Sequence, residues 1–229
     1  MSAPALLNTD GTASMATLLM MSHHGLRRDA ARLTTGLRAV RDDDRARAAA
    51  LKEGWEGFKL VLHGHHEAED QRLFPSLRSQ HADLGAAIDS LAADHRTIDP
   101  VLERLHVSMS ELPAPLARDA ALAIMNDLNA LLDRHLASEE ASVIPILRKV
   151  PLQAMPPMPE GELAMMSEGL AWSAEGVAPD IFALATAAMP ELVLAKVSAA
   201  KVAYAAKCER IWGGVSNATS RTADGAPLT

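Results

Sequence analysis

The sequence predicts an all-α protein: an up-down-up-down four-helix bundle with a helical C-terminal extension. Ala, Leu, Val, Ile and Met make up most of the apolar 48% of its 229 residues, whereas aromatic residues make up only 3%. Ala, Leu and Met form helices readily, and aromatic residues prefer strands. Leucines recur at steps of three, four or seven, which is the period of one helix face, and a His-x-x-x-Glu motif occurs twice. A bundle of long helices is therefore the expected architecture.

Four long helical segments are predicted before a proline-rich stretch. The first begins at about Ser14, and the acidic residues at 42–44 mark a turn and the start of the second, because carboxylates suit a helix N-terminus. The second runs to about Leu73, where Pro75 is expected to end or kink it. The third covers about 82–110 and the fourth about 115–144. The predicted regions are a flexible N-terminus (1–13), the bundle (14–149), a proline-rich connector (150–161), the helical extension (162–212) and a disordered tail (213–229).

Charge and composition exclude several classes of function. The 22 basic and 29 acidic residues give a net charge of −7, which argues against nucleic acid as a partner, because phosphate binding relies on an excess of Lys and Arg. Charged residues interrupt every long apolar run, so no membrane span is expected. The single cysteine, Cys208, excludes an internal disulfide, and the first residues lack the pattern of a secretory signal. We therefore expect a cytoplasmic protein.

The strongest signal is an internal repeat. Residues 65–78 read HHEAEDQRLFPSLR, and residues 135–148 read HLASEEASVIPILR. Each copy has a His, a Glu four residues later and a Pro ten residues after the His, and the two copies lie 70 positions apart. A second pairing links His23 and His95, each followed three positions later by an aliphatic residue. The bundle is therefore interpreted as a duplicated helix pair that contributes two His and one Glu from each half.

This spacing suits a metal centre. Residues four apart lie on the same face of a helix, so each motif presents an imidazole and a carboxylate to one place. The predicted ligands are His23, His65, Glu69, His95, His135 and Glu139. Four imidazoles and two carboxylates suit a pair of iron, manganese or similar ions in a bundle core, with the carboxylates able to bridge them. The remaining positions would be filled by an oxo or hydroxo bridge, water, a further side chain or substrate.

Neighbouring residues leave alternatives open. His24 competes with His23 for the first ligand position, and the parallel with His95 favours His23, with His24 exposed. His66 lies about 100° around the helix from His65 and is expected to support the ligands or to be exposed. Three acidic residues adjoin predicted ligands, and each is either surface charge or an acceptor for the second imidazole N–H; they are Asp70, Asp94 and Glu140.

With this motif the chain resembles the hemerythrin-like proteins, or HHE cation-binding domain family, over about Met20 to Val150, and its C-terminal helices resemble the longer actinobacterial members. The resemblance implies a non-haem di-iron centre, two iron ions with an oxo or hydroxo bridge. Oxygen-carrying members have a further His four residues after the one matched by His95, where this chain has Asp99. Coordination would then be completed by a side chain such as His24, Asp99 or Glu140, or left open for a ligand.

The resemblance implies a reaction with small oxidants. We expect the centre to bind and react with hydrogen peroxide, nitric oxide or dioxygen in oxidative or nitrosative stress defence, as a peroxidase-like, catalase-like or nitric-oxide-consuming enzyme with an unidentified reductant. The alternative is a module that binds or senses dioxygen or nitric oxide without turnover, and iron storage is the weakest reading. The sequence does not predict an oligomeric state.

Overall fold

The computed structural model describes residues 5–153 and 158–213, and this part of the chain is all-α, as predicted. Most of the predicted disordered tail, 214–229, and residues 154–157 of the connector lie outside the described residues. No described helix combines the length and apolar composition needed to cross a bilayer. The helices are α1 (Met15–Ala39), α2 (Arg45–Ala68), α3 (Phe74–Gln80), α4 (Gly85–Ser110), α5 (Pro115–Ser142), α6 (Ile144–Leu147), α7 (Glu160–Ser173), α8 (Pro179–Thr186) and α9 (Glu191–Trp212).

The described residues form two compact units. One is Asp29–Ser142, and the other combines the described parts of Met1–Arg28 and Val143–Thr229. In the first unit, α4 packs against α5 and against α2. The connection 111–114 between α4 and α5 is short, so these helices run antiparallel. The buried apolar stripes follow the helical period predicted from the sequence, for example Leu51, Trp55, Phe58 and Leu62 on α2.

The turn before α2 forms as its acidic residues predict. Asp44 is the N-cap residue, and its carboxylate accepts a hydrogen bond from the Arg47 N–H at 2.8 Å. Such a cap satisfies one of the N–H groups that the first helical turn leaves without a partner, and typically stabilises a helix by about 1 kcal/mol. It fixes the start of the helix that carries the first repeated motif.

Pro75 is expected from the sequence to end or kink the second helix. The structure instead has a widened helical turn just before this proline. The segment Glu69–Leu73 between α2 and α3 is π-helical, and the Phe74 N–H donates to the Glu69 carbonyl five residues earlier. Pro75 has no N–H to donate to the preceding turn, so a widened turn just before it lets the helix continue to Gln80. The wide turn also brings Phe74, a buried residue, onto the ring of His95 at a centroid distance of 5.8 Å.

In the second unit, α7 packs against α9 around a small apolar core of Leu163, Val193 and Val197. The first part of α1 is tied to this extension by Arg28, which donates to the carbonyl oxygens of Trp172 and Glu175 at 3.0 Å and 2.9 Å. The described part of the C-terminal extension is thus a packed helical element rather than a loose appendage.

Gly25 allows α1 to approach the Trp172 ring closely, because glycine has no side chain. A Cβ at Gly25 would lie 2.7 Å from the Trp172 ring, and that ring is buried. Gly25→Ala is therefore expected to lower the free energy of unfolding by about 1–3 kcal/mol, the usual cost of overpacking. Gly64→Ala is the control, because nothing lies within 4 Å of its Cβ position and alanine is favoured over glycine in a helix. Chemical denaturation of both variants checks the contact, and equal stability would contradict it.

Candidate metal centre

The end of α2 and the π-helical segment supply three adjacent candidate ligands. His65 and His66 occupy the last turn of α2, and Glu69 begins the π-helical segment. The Glu69 carboxylate is buried, and its Oε1 lies 3.0 Å from His65 Nε2, as the four-residue spacing predicts. The first repeated motif therefore presents its imidazole and carboxylate to one place.

One group of donors consists only of imidazoles. His66, His95 and His135 are all buried, and each offers a ring nitrogen within 4.8 Å of those of the others. The Nε2 atoms of His95 and His135 are 3.3 Å apart. The ring of His66 stacks on His95 at a centroid distance of 4.0 Å and meets His135 edge-on at 5.5 Å. We call these residues the three-imidazole set.

A second group contains the carboxylates. His65, Glu69 and Glu139 each offer a ligand atom within 4.8 Å of those of the others. Glu69 and Glu139 are 2% and 0% exposed, so two carboxylates lie together in the interior. Burying two like charges is costly unless a cation neutralises them. We call these residues the carboxylate set.

Glu69 reaches both sets. Its Oε1 lies 3.0 Å from His65 Nε2, whereas its Oε2 lies 3.4 Å from His95 Nε2. One carboxylate therefore places one oxygen beside a member of each set. This is the arrangement needed for a single carboxylate to serve two neighbouring ions.

One acidic residue at the edge of the site orients an imidazole. Asp70 Oδ2 lies 3.0 Å from His95 Nδ1, whereas Asp94 Oδ2 lies 3.6 Å from His135 Nδ1, beyond hydrogen-bond distance. A proton held on His95 Nδ1 by Asp70 leaves the Nε2 lone pair facing the site. Of the two readings of these acids, the geometry favours an acceptor for a candidate ligand imidazole in the case of Asp70.

The electrostatics of the two sets differ. Burial raises the pKa of the Glu69 carboxyl well above its usual range, and the adjacent Glu139 carboxyl raises it further. Burial, followed by the neighbouring His95 imidazole, lowers the pKa of His66 from 6.5 to about 2. The carboxylate set therefore favours a cation, whereas His66 is neutral at physiological pH and has a lone pair available for ligation.

The first two histidines of α1 both lie in the other unit. His23 is fully buried, and its role as a ligand stays a prediction from the repeat. The expectation that His24 is exposed is wrong: the ring is half-buried, and its Nε2 lies 3.0 Å from the Glu175 carbonyl oxygen. Its hydrogen-bonding contact within that unit accounts for this residue without a metal.

Asp99, one of the side chains proposed to complete the coordination, is exposed on the surface. It lines an open groove between α2 and α4 with Glu56, Lys59 and His63. Glu140 is half-buried next to Glu139 and belongs to neither set among the described residues. A further buried imidazole, His66, lies beside His95 and His135, although the sequence predicts that it supports the ligands or is exposed. Its position beside His65 gave no helical-spacing signal, although the adjacent pair of histidines was itself visible.

The donor set fits iron. Imidazole nitrogens and carboxylate oxygens together suit iron and related transition ions, and soft thiolate ligands are not involved. Two buried carboxylates supply negative charge against the charge of the ions. On the chemistry of their side chains, the residues present can hold a pair of metal ions.

Asp70→Asn is expected to weaken metal binding by about 10–100-fold, the usual effect of removing a partner of a ligand imidazole. The expected loss concerns an ion held by His95, because Asp70 hydrogen-bonds to that imidazole. The measurement is titration of the metal-free protein with ferrous iron. Glu67→Gln is the control, because Glu67 is an exposed acid on the same helix and the substitution changes the charge by the same amount. Equal affinities in the two variants would contradict the orienting role of Asp70.

One comparison with known proteins found a family match. The family model described as the hemerythrin HHE cation binding domain matches residues 14–147. This range covers α1 to α6 and therefore all the candidate ligands. Comparisons with curated proteins and with solved structures found no significant match.

Proposed function

We propose, since the chain belongs to the hemerythrin HHE cation-binding domain family, that it holds a non-haem di-iron centre which consumes hydrogen peroxide or nitric oxide. The family and the His and Glu clusters establish a helical cation-binding domain. The step to two iron ions and to small oxidants is our proposal. The observation that carries it is Glu69, whose two oxygens lie beside different donor sets.

The six ligands predicted from the repeat are retained in this proposal, with His23 as the member contributed by α1. Bound iron would supply redox chemistry and open positions for a small molecule. The residues of the chain then have distinct tasks. Glu69 joins the two sets, Asp70 holds the proton on His95 Nδ1, and the buried carboxylates balance the positive charge.

The surroundings of the site favour a small ligand. Leu62 and Leu91 are fully buried one helical turn before His66 and His95, and the Phe74 ring stacks with the His95 ring. Apolar side chains exclude bulk water and large polar substrates from the ligand nitrogens. A diatomic molecule or peroxide meets this size restriction, whereas a sugar or nucleotide does not.

Steady-state consumption of peroxide and of nitric oxide by iron-loaded protein tests the proposal, with a supplied electron donor. The wild-type protein is expected to exceed the rate of the same amount of free iron, and His65→Ala is expected to lose this excess. His63→Ala is the matched control, because His63 lies two residues earlier on α2 and is exposed. Rates equal to free iron for both small molecules would overturn turnover as the function.

A second candidate is sensing of dioxygen or nitric oxide without turnover. The observation that favours it is the contact of His24, the neighbour of the predicted ligand His23, with the Glu175 carbonyl of the C-terminal extension. Under this hypothesis, ligand binding at His23 would move the neighbouring His24 and alter its contact with Glu175. Limited proteolysis of the connector, with and without nitric oxide, separates the candidates: sensing predicts a ligand-dependent cleavage rate, and turnover alone predicts an unchanged one.

A further inference from the structure

The three-imidazole set contains a residue that the repeat does not assign. The repeat has no counterpart of His66 in its second copy, where Leu136 stands. The His66 side chain is nevertheless buried, and its Nε2 has no hydrogen-bond partner among the described residues. A buried polar atom without such a partner is costly, and in native structures it points to a missing ligand or ion.

We propose that His66 is a direct metal ligand and that it holds one ion of the centre together with His95 and His135. This inference rests on the proposed di-iron function and adds to it a fifth imidazole and a division of ligands between the two ions. The division is unequal. An imidazole is a neutral donor to a metal ion, whereas the carboxylate set offers two anionic donors, Glu69 and Glu139.

The ring geometry supports ligation over simple packing. Two nitrogens bound to one ion at about 2.1 Å lie roughly 3–4 Å apart. The 3.3 Å separation of His95 Nε2 and His135 Nε2 falls in this range, and the His66 nitrogen lies within 4.8 Å of both. With its proton on Nδ1, facing Asp70, His95 presents the Nε2 lone pair toward His135 Nε2. This lone pair is free to bind a cation placed among the three rings.

The unequal charge predicts an order of filling. A cation is attracted more strongly by two buried carboxylates than by three neutral imidazoles, because Coulomb attraction is large in a medium of low dielectric constant. The first ion is therefore expected to enter the carboxylate set. The second ion enters the three-imidazole set, with Glu69 Oε2 at its edge, and is the more weakly held and more exchangeable of the two.

Anaerobic titration of the metal-free full-length chain with ferrous iron tests the proposal. Wild-type protein and the exposed-site control His63→Ala are expected to bind two ions in two steps. His66→Gly is expected to keep the first step within about threefold and to weaken the second by at least 10-fold. Added free imidazole is expected to restore part of the second step, because it can occupy the space of the missing ring and supply a nitrogen.

The outcomes separate this inference from the proposed function. If the wild-type protein binds two ions and His66→Gly binds both with unchanged affinity, His66 is not a ligand, while the di-iron proposal stands. If the wild-type protein itself binds fewer than two ions, the di-iron proposal fails and this inference fails with it. A second step that is lost but not rescued by imidazole assigns His66 a packing role only and also overturns its ligation.

A measurement on the wild-type protein removes dependence on the folding of the variant. Zinc serves as a diamagnetic probe, and the ¹⁵N resonances of the His66 ring report whether its Nε2 binds the ion. A zinc-dependent shift of the His66 Nε2 resonance, appearing with the second equivalent, is expected. A resonance that stays in place through two equivalents would overturn the proposal.

Discussion

Removal of the bound metal is expected to lower the stability of this protein more than any single surface or packing substitution. A ligand that binds only the folded state stabilises it by about 2.7 kcal/mol at 100 times its dissociation constant and by about 4.1 kcal/mol at 1,000 times. For a domain of this size, 1 kcal/mol corresponds to about 2–4 °C in the midpoint of thermal unfolding. Iron loading is therefore expected to raise the midpoint by at least about 6 °C, and a chelator is expected to reverse the rise.

Glu139→Ala tests whether the candidate ligands carry this stabilisation. Glu139 is fully buried and belongs to the carboxylate set, so the variant is expected to lose most of the iron-dependent rise in midpoint. The matched control is Glu140→Ala, which removes the same charge at the adjacent, half-buried position. Thermal unfolding is followed by circular dichroism with and without iron. An iron-dependent rise that survives in Glu139→Ala but disappears in Glu140→Ala would contradict the site.

Glu69→Gln is expected to have opposite effects on the metal-free and the iron-loaded protein. Without metal, the substitution removes one of two neighbouring buried carboxylates and should raise the free energy of unfolding by roughly 1–3 kcal/mol at neutral pH. With iron, it removes the carboxylate that reaches both donor sets, and the iron-dependent stabilisation should largely disappear. Plots of the free energy of unfolding against iron concentration for the wild-type protein and for Glu69→Gln should therefore cross.

Comparison of the wild-type protein with Glu69→Gln also predicts how the stability of the metal-free protein changes with pH. The pKa of Glu69 is raised in the folded protein, so the folded state binds more protons than the unfolded state above the usual glutamate pKa of about 4.3. The stability of the metal-free wild-type protein should therefore fall relative to Glu69→Gln as the pH rises above that value. Denaturation of both proteins, with Glu67→Gln as the exposed control, measures the difference. A difference that shrinks with rising pH would contradict the burial of a carboxylate pair.

Much of the fold could be predicted because its helices are amphipathic and separated by strong turn signals. The acidic turn at Asp44 marks the start of α2, and Pro115 marks the start of α5. The π-helical turn before Pro75 could not be predicted, because its cause is packing. The missing N–H of a proline allows a break, a kink or a widened turn, and the burial of Phe74 against His95 favours the last.

The candidate site could be predicted where spacing alone determines which residues meet. His65 and Glu69 share a helix face, so their contact follows from the four-residue step. His66 is different, because a residue 100° away on the same helix meets His95 and His135 only through the packing of α2, α4 and α5 in the bundle core. Likewise, Asp70 contacts His95, 25 residues later, and His24 contacts Glu175, 151 residues later. No local sequence pattern predicts contacts between residues so far apart in the chain.

Anomalous X-ray diffraction at the iron edge, on crystals of the iron-loaded protein, shows whether two donor sets share Glu69 and hold two metal ions. We expect two iron peaks in each chain, one among His66, His95 and His135 and the other among His65, Glu69 and Glu139, with Glu69 next to both. A single peak, peaks elsewhere in the chain, or these side chains bound only to one another at full iron occupancy would contradict this expectation.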